Sequence, residues 1–199
     1  MANVTKKGGL RLKNAMVDQP LVVHVHASDD SVRLGIGDPV KLAGTSAQIG
    51  NGPYSSTVAL CASGDAIYGV VQGVLKHHVT SGMNLDVRHC PASTAMYVLV
   101  RPANPLDVYA ISDDGTLAVT SVGMCADITG NGGGTTVTEC DTVTGLSTVL
   151  LDTSTAAAGA ATLRIIGFED VADNTPGSAN ASILVNINEC YNSTGVNGV

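Results

Sequence analysis

Tryptophan is absent from this chain, phenylalanine occurs once and tyrosine five times. A core without large rings is built from Val, Ile, Leu and Ala, which bury less area per residue. That favours association with a partner or with further copies. Charge is also scarce. Only 14 % of the 199 residues are charged, against roughly a quarter in ordinary soluble domains. Disorder does not follow, because the apolar fraction is 44 % and the net charge is only −7. The 23 glycines keep no triplet period, which excludes collagen. Leu/Glu/Lys-rich stretches are few, which argues against a helical bundle. No run approaches the ~18 apolar residues of a membrane helix. The start, Met1 to Gly9, has basic residues without an apolar stretch after them, so no secretory signal is read there. A cytoplasm-like compartment is expected.

Reaction chemistry leaves no signature either. The chain lacks a Gly-x-Ser-x-Gly elbow, a His-Glu-x-x-His pair and a Gly-Lys-Ser/Thr phosphate loop. The five cysteines (Cys61, Cys90, Cys125, Cys140, Cys190) are odd in number and widely spaced, with no Cys-x-x-Cys. They read as free, buried thiols of a reducing compartment. His24 and His26 alternate on a strand and would make half a metal site, but their spacing closes no zinc motif. The simpler reading is the wet face of a half-buried strand. Asp29-Asp30 and Asp113-Asp114 sit beside turn signals, where Asp bonds its own backbone. Gly130-Asn-Gly-Gly-Gly reads as a linker, since no helix and Lys follow it. The expectation is a non-enzyme with no metal and no cofactor.

The charge that is present is unevenly placed. Lys6, Lys7, Arg11 and Lys13 give the first 13 residues +4, and the rest of the chain carries −11. An acidic body argues against nucleic-acid binding, which rests on neutralising phosphates. A basic arm on it has two readings: a docking strand for an acidic partner, or a solvated tail.

Short apolar runs with frequent punctuation fill the remainder. Leu21 to Ala27, Val40 to Ala43, Thr57 to Ala62 and Ile67 to Leu75 read as strands. The glycines of the last suggest a bulge or close backbone approach. Ala95 to Arg101, Leu106 to Ser112, Ala161 to Phe168 and Ser182 to Asn188 follow. Asp113-Asp114-Gly115 is the best hairpin signal. About ten short strands with regular turns predict an all-β fold: a short-stranded barrel or sandwich. We divide it into a basic arm (1–20), an N-terminal β subdomain (21–92) and a C-terminal β subdomain (93–199). The His, Pro and Ser cluster around 81–93 marks the boundary.

The order of pieces in the second half is distinctive. It runs Tyr97-Val-Leu-Val-Arg-Pro-Ala-Asn-Pro-Leu-Asp-Val-Tyr-Ala-Ile-Ser-Asp-Asp-Gly, Val122-Gly-Met-Cys-Ala-Asp-Ile, Leu151-Asp-Thr-Ser-Thr, Leu163-Arg-Ile-Ile-Gly-Phe-Glu-Asp-Val-Ala-Asp-Asn and Ile183-Leu-Val-Asn-Ile-Asn-Glu. Over residues 95–190 this resembles the capsid decoration (cement) proteins of tailed bacteriophages. The first half is similar only through Gly37-Asp-Pro-Val-Lys-Leu and Ile67-Tyr-Gly-Val-Val. The resemblance implies a β-rich virion protein on the capsid exterior, made in the host cytoplasm. It implies a homotrimer that binds the major capsid protein, clamps adjoining subunits and stabilises the expanded shell. It also implies no enzyme activity and no cofactor, and no nucleic-acid or membrane partner is expected. Lys6, Lys7, Arg11 and Lys13 are the candidate capsid contacts. The competing readings are another virion β-protein, such as a head-fibre base or tail component; a ligand- or glycan-binding barrel, disfavoured by the few aromatics; and a hydrolase.

Overall fold

The computed structural model describes residue 3 and residues 8–16, 18–75, 88–130 and 139–190. Lys6, Lys7, Lys76, His77, His78 and most of the glycine-rich linker lie outside them.

The fold is all-β. Five strands close a barrel: β2 (Val22–His26), β3 (Pro39–Ala47), β4 (Ser55–Leu60), β5 (Gly69–Leu75) and β6 (Met96–Pro102), in the order β2-β4-β3-β5-β6. Only β2 and β4 run parallel. Closure leaves this sheet no open edge. A second, antiparallel sheet is ordered β1-β7-β12-β11-β8. Its members are β1 (Arg11–Asn14), β7 (Val108–Ser112), β8 (Cys125–Ala126), β11 (Leu163–Phe168) and β12 (Ser182–Ile187). The short pair β9 (Ile128–Thr129) and β10 (Leu150–Leu151) lies beside it.

The glycines in the run to Leu75 behave as their positions suggested. A Cβ on Gly69 would fall 2.4 Å from the Arg101 carbonyl oxygen, so β5 and β6 approach closely there. The β5–β6 register slips between Val71 and Gly73, a bulge that bends β5 into the barrel curve. Asp113-Asp114-Gly115 does turn the chain, but no hairpin follows. After Leu117 the chain enters a 3₁₀ turn at Val119–Ser121, and Asp113 bridges to Leu151 instead. The Asp113 and Asp114 carboxylates accept N–H bonds from Leu117 and Thr153, which hold the chain off the hairpin path.

The division between the sheets also differs from the sequence reading. The barrel includes β6, so its last strand ends at Pro102 rather than before residue 93. Residues 88–93 of the His/Pro/Ser cluster lead into β6, and 81–87 lie outside the described residues. Residues 11–14 of the arm are the edge strand of the C-terminal sheet, paired to β7. Leu10 is buried in the same core as Tyr109, Ile111, Ile165 and Ile183. That core also takes in Cys61, Ile67 and Val70 from the barrel side. Parallel bridges Ile36–Leu146 and Ile67–Cys190, outside the strands, join segments of the two halves further. The arm crosses this junction by backbone contact: Leu10 N–H donates to Gly37 O at 3.0 Å and Gly8 N–H to Ser147 O at 2.9 Å. Gly37 has φ +91, and a Cβ there would fall 1.9 Å from Gly8 O, so only glycine fits.

Candidate functional site

The four basic residues of the arm divide into two sets. Lys6 and Lys7 lie outside the described residues. Arg11 and Lys13 lie on the face of β1 opposite Leu12, which packs on the core, and both are engaged by residues of the chain's own sheet. Arg11 Nη2 donates to Ser182 Oγ at 3.0 Å, and Ser182 Oγ donates to Glu169 Oε2 at 2.6 Å. Lys13 Nζ forms an ion pair with Glu169 Oε1. Burial pushes the Arg11 guanidinium down, opposed by the nearby Glu169 charge. Burial also raises Glu169, but the bonds from Lys13 and Ser182 outweigh it, and its carboxyl ends below the ordinary range. The cluster fastens β1 across β12 to the loop after β11. Lys13 is 40 % exposed, so its pair is partly screened. Lys13→Ala is expected to cost roughly 0.5–1 kcal/mol in urea unfolding, with the loss shrinking in high salt.

The segment that follows reaches a second, deeper contact. Arg101, at the end of β6, donates from Nε (3.1 Å) and Nη2 (2.9 Å) to Asp107 Oδ2. The side chains are 8 % and 0 % exposed. Asp107 Oδ1 accepts the Met16 N–H at 3.0 Å, and its carbonyl accepts from Asn186 Nδ2 at 2.8 Å. One residue therefore ties together three parts: its carboxylate holds the arm and the barrel, and its carbonyl holds the C-terminal sheet. The sequence carried a signal for it that composition alone hides: a single Arg ending an apolar strand, six residues before an Asp.

Other aspartates of the second half also hold backbone N–H groups. Asp114 Oδ1 accepts Thr153 N–H and its hydroxyl, both at 2.9 Å. Asp127 Oδ1 accepts Thr162 N–H at 3.1 Å and its hydroxyl at 3.0 Å. Asp152 caps the 3₁₀ turn Thr153–Thr155 through Ser154 N–H at 2.9 Å. Asp113 and Asp38 are fully buried carboxyls. Burial pushes Asp38 up to about 7, opposed by Ser147 and by the Gly35 N–H at 2.7 Å. Burial likewise pushes Asp113 up to about 6, against the bond from Leu117.

The histidines do not occupy a wet face. His24 pairs with Val98 and His26 with Met96, and cross-strand partners share a face, so both rings point into the barrel with Met96, Val98 and Val100. His24 Nδ1 lies 2.8 Å from Ser56 Oγ and Nε2 lies 3.0 Å from Tyr68 OH. Burial lowers His24, opposed by the Ser56 carbonyl. His26 sits between the carbonyls of Val32 (2.8 Å) and Thr94 (3.2 Å). All five cysteines are buried free thiols; burial pushes Cys90 and Cys140 up to about 12 and Cys61 well above its ordinary value. Among the described residues no group of three His, Cys, Asp or Glu is placed to hold a metal ion. No helix among them is long and apolar enough to cross a membrane.

What the arrangement does chemically is fix backbone. Set against known proteins, the chain matches no family model, no curated protein and no solved structure.

Proposed function

We propose that this chain is a structural virion protein that binds the outside of a tailed-phage capsid as a homotrimer and clamps adjacent capsid subunits in the expanded shell. One observation carries the reading. The segments that resemble decoration proteins fall on β6, β7, β8, β11 and β12, and their aspartates 107, 113, 114, 127 and 152 each accept backbone N–H groups. Such side chains specify a shape. A shape presented in many copies attaches well even when each contact is weak, because linked contacts raise the effective concentration. Lys6 and Lys7 carry the capsid-facing charge in this reading, since Arg11 and Lys13 already have partners within the chain.

Deleting residues 1–15 would not test the arm cleanly, because it strips Leu10 from the core and β1 from its sheet. Lys6→Glu/Lys7→Glu leaves both in place. The expected result is saturable co-sedimentation of the parent chain with expanded empty shells and at least tenfold weaker binding of the double variant. Mass spectrometry of purified virions is expected to find the chain near the abundance of the major capsid protein. A chain scarce in particles, or one that never saturates a shell, overturns the proposal.

A further inference from the structure

We propose that copies of this chain associate head to tail, the arm-side edge of the C-terminal sheet on one copy seating on the β11 face of the next. This rests on the homotrimer reading and names the surface that would build it.

Seven Lys and Arg fall among the described residues. Six have partners: Arg11 with Ser182, Lys13 with Glu169, Arg33 with Glu139, Lys41 with Asp65, Arg88 with the Val143 carbonyl, and Arg101 with Asp107. Arg164, exposed on β11, has none among the described residues. Its cross-strand neighbours are Asn186 on β12 and Cys125 on β8. Ile166, on the same face of β11, is exposed, as are Val119 and Val122 in and after the 3₁₀ turn. That turn is fixed to β11 by Gly123 N–H to Ile165 O and Ile165 N–H to Met124 O, both 2.9 Å. An exposed Arg and Ile on one strand face, with exposed valines on the turn bonded to that strand, match the composition of an interface centre.

A second apolar patch lies towards the other edge of the same sheet. Met16 and Leu106 flank the Met16 N–Asp107 Oδ1 bond, and Leu21 leads into Val22, which pairs with Val100 beside Arg101. The six apolar residues of the two patches are between 41 and 60 % exposed. Single exposed apolar residues need no explanation, but two clusters of three do. Asp18, exposed between Met16 and Leu21, has no ion pair among the described residues. The patches are thus complementary, one apolar with an unpaired carboxylate and the other apolar with an unpaired guanidinium. They stand three strand intervals apart, β1 to β11, or roughly 14 Å. Paired head to tail, two different, complementary patches make a heterologous contact, which closes into a ring when the rotation permits, as the homotrimer reading requires. The same patches could instead pair reciprocally about a twofold axis, which gives a dimer, so a parent that stops at a dimer overturns the head-to-tail reading.

Native mass spectrometry and sedimentation velocity test this on the full chain, with Arg164→Glu, Asp18→Arg, Ile166→Asp and the reversed pair Asp18→Arg/Arg164→Glu. All three positions are exposed, and circular dichroism checks that each variant keeps its β signature. The expected result is a single closed oligomer for the parent, at least tenfold weaker association for each single variant, and recovery in the reversed pair. A monomeric parent, an oligomer indifferent to Arg164→Glu and Ile166→Asp, or a reversed pair no better than its parents overturns the proposal. Shell co-sedimentation run alongside separates the two readings. An oligomer that follows these variants but never binds shells supports this interface and removes the virion role. A monomer that saturates shells does the opposite.

Discussion

Asp107→Asn is expected to remove about 3–5 kcal/mol of folding stability, the cost of leaving one partner of a buried ion pair alone. Arg101 is only 6 % exposed, so its charge has little water to turn to once the carboxylate is gone. In a chain of this length such a loss lowers the melting temperature by roughly 6–20 °C. It is also a large part of the 5–15 kcal/mol that domains have in total. The removal of both partners should be far milder. Arg101→Met/Asp107→Leu gives up the attraction and the desolvation cost together, and these nearly cancel in a buried pair. What the double variant does lose is the acceptor for Met16 N–H, about 1 kcal/mol. The measurement is a double-mutant cycle by urea unfolding. A single variant within 1 kcal/mol of the parent would show that water reaches the pair and that this junction is not what holds the arm and the two sheets together.

That junction shows where the sequence is legible and where it is not. The β-rich class follows from alternation and turn spacing, and the runs around β2, β5, β6, β7, β11 and β12 are visible in the chain. Gly69 and Gly73 announced a close approach and a bulge because glycine inside a strand has few other uses. Which side of a strand faces inward is another matter. In Val22–His26 both alternating sets hold residues that can be buried, so the pattern does not choose. The choice is made by pairing with β6, seventy residues away, which sets the histidines beside Met96 and Val98. The same holds for β6 itself. Its place in the barrel comes from bonds to β2 and β5, which no local signal before residue 93 encodes. Arg11 and Lys13 look like free cations in a basic arm. Their neutralisation by Glu169 depends on β1 reaching the edge of a sheet whose other strands begin at residue 108.

The second large effect is with pH, and Asp38 is its main source. The carboxyl is fully buried at the turn that enters β3, where Gly35 and Asp38 exchange bonds: Gly35 N–H to Oδ2, and Asp38 N–H to Gly35 O. These bonds and Ser147 do not replace the water lost, so burial holds the group near 7 instead of 3.8. The sign follows from linkage. Above its ordinary value the unfolded chain releases this proton readily while the folded chain retains it, so rising pH favours unfolding until the folded group has also ionised. The stabilising difference is complete below about 4, falls through the interval to about 7 and is gone above it. At 1.36 kcal/mol per unit the whole interval amounts to about 4 kcal/mol, of which about 2–3 falls between pH 5 and pH 8. Asp113, held at about 6, acts in the same direction over a narrower window. Glu169 acts the other way, since its depressed carboxyl stabilises above its ordinary 4.5 and loses that contribution as acid protonates it. His24, which burial lowers, also stabilises less as acid protonates the unfolded ring, so the maximum is expected on the acid side of neutrality, with a decline towards pH 8 carried by Asp38 and Asp113. Asp38→Asn keeps an acceptor for Gly35 N–H and has no proton to lose. Its stability relative to the parent should improve by about 2–3 kcal/mol on going from pH 5 to pH 8, read from urea midpoints at each pH. If the two curves run parallel across that range, Asp38 is already ionised at pH 5, and the turn before β3 is open to solvent in a way its burial contradicts.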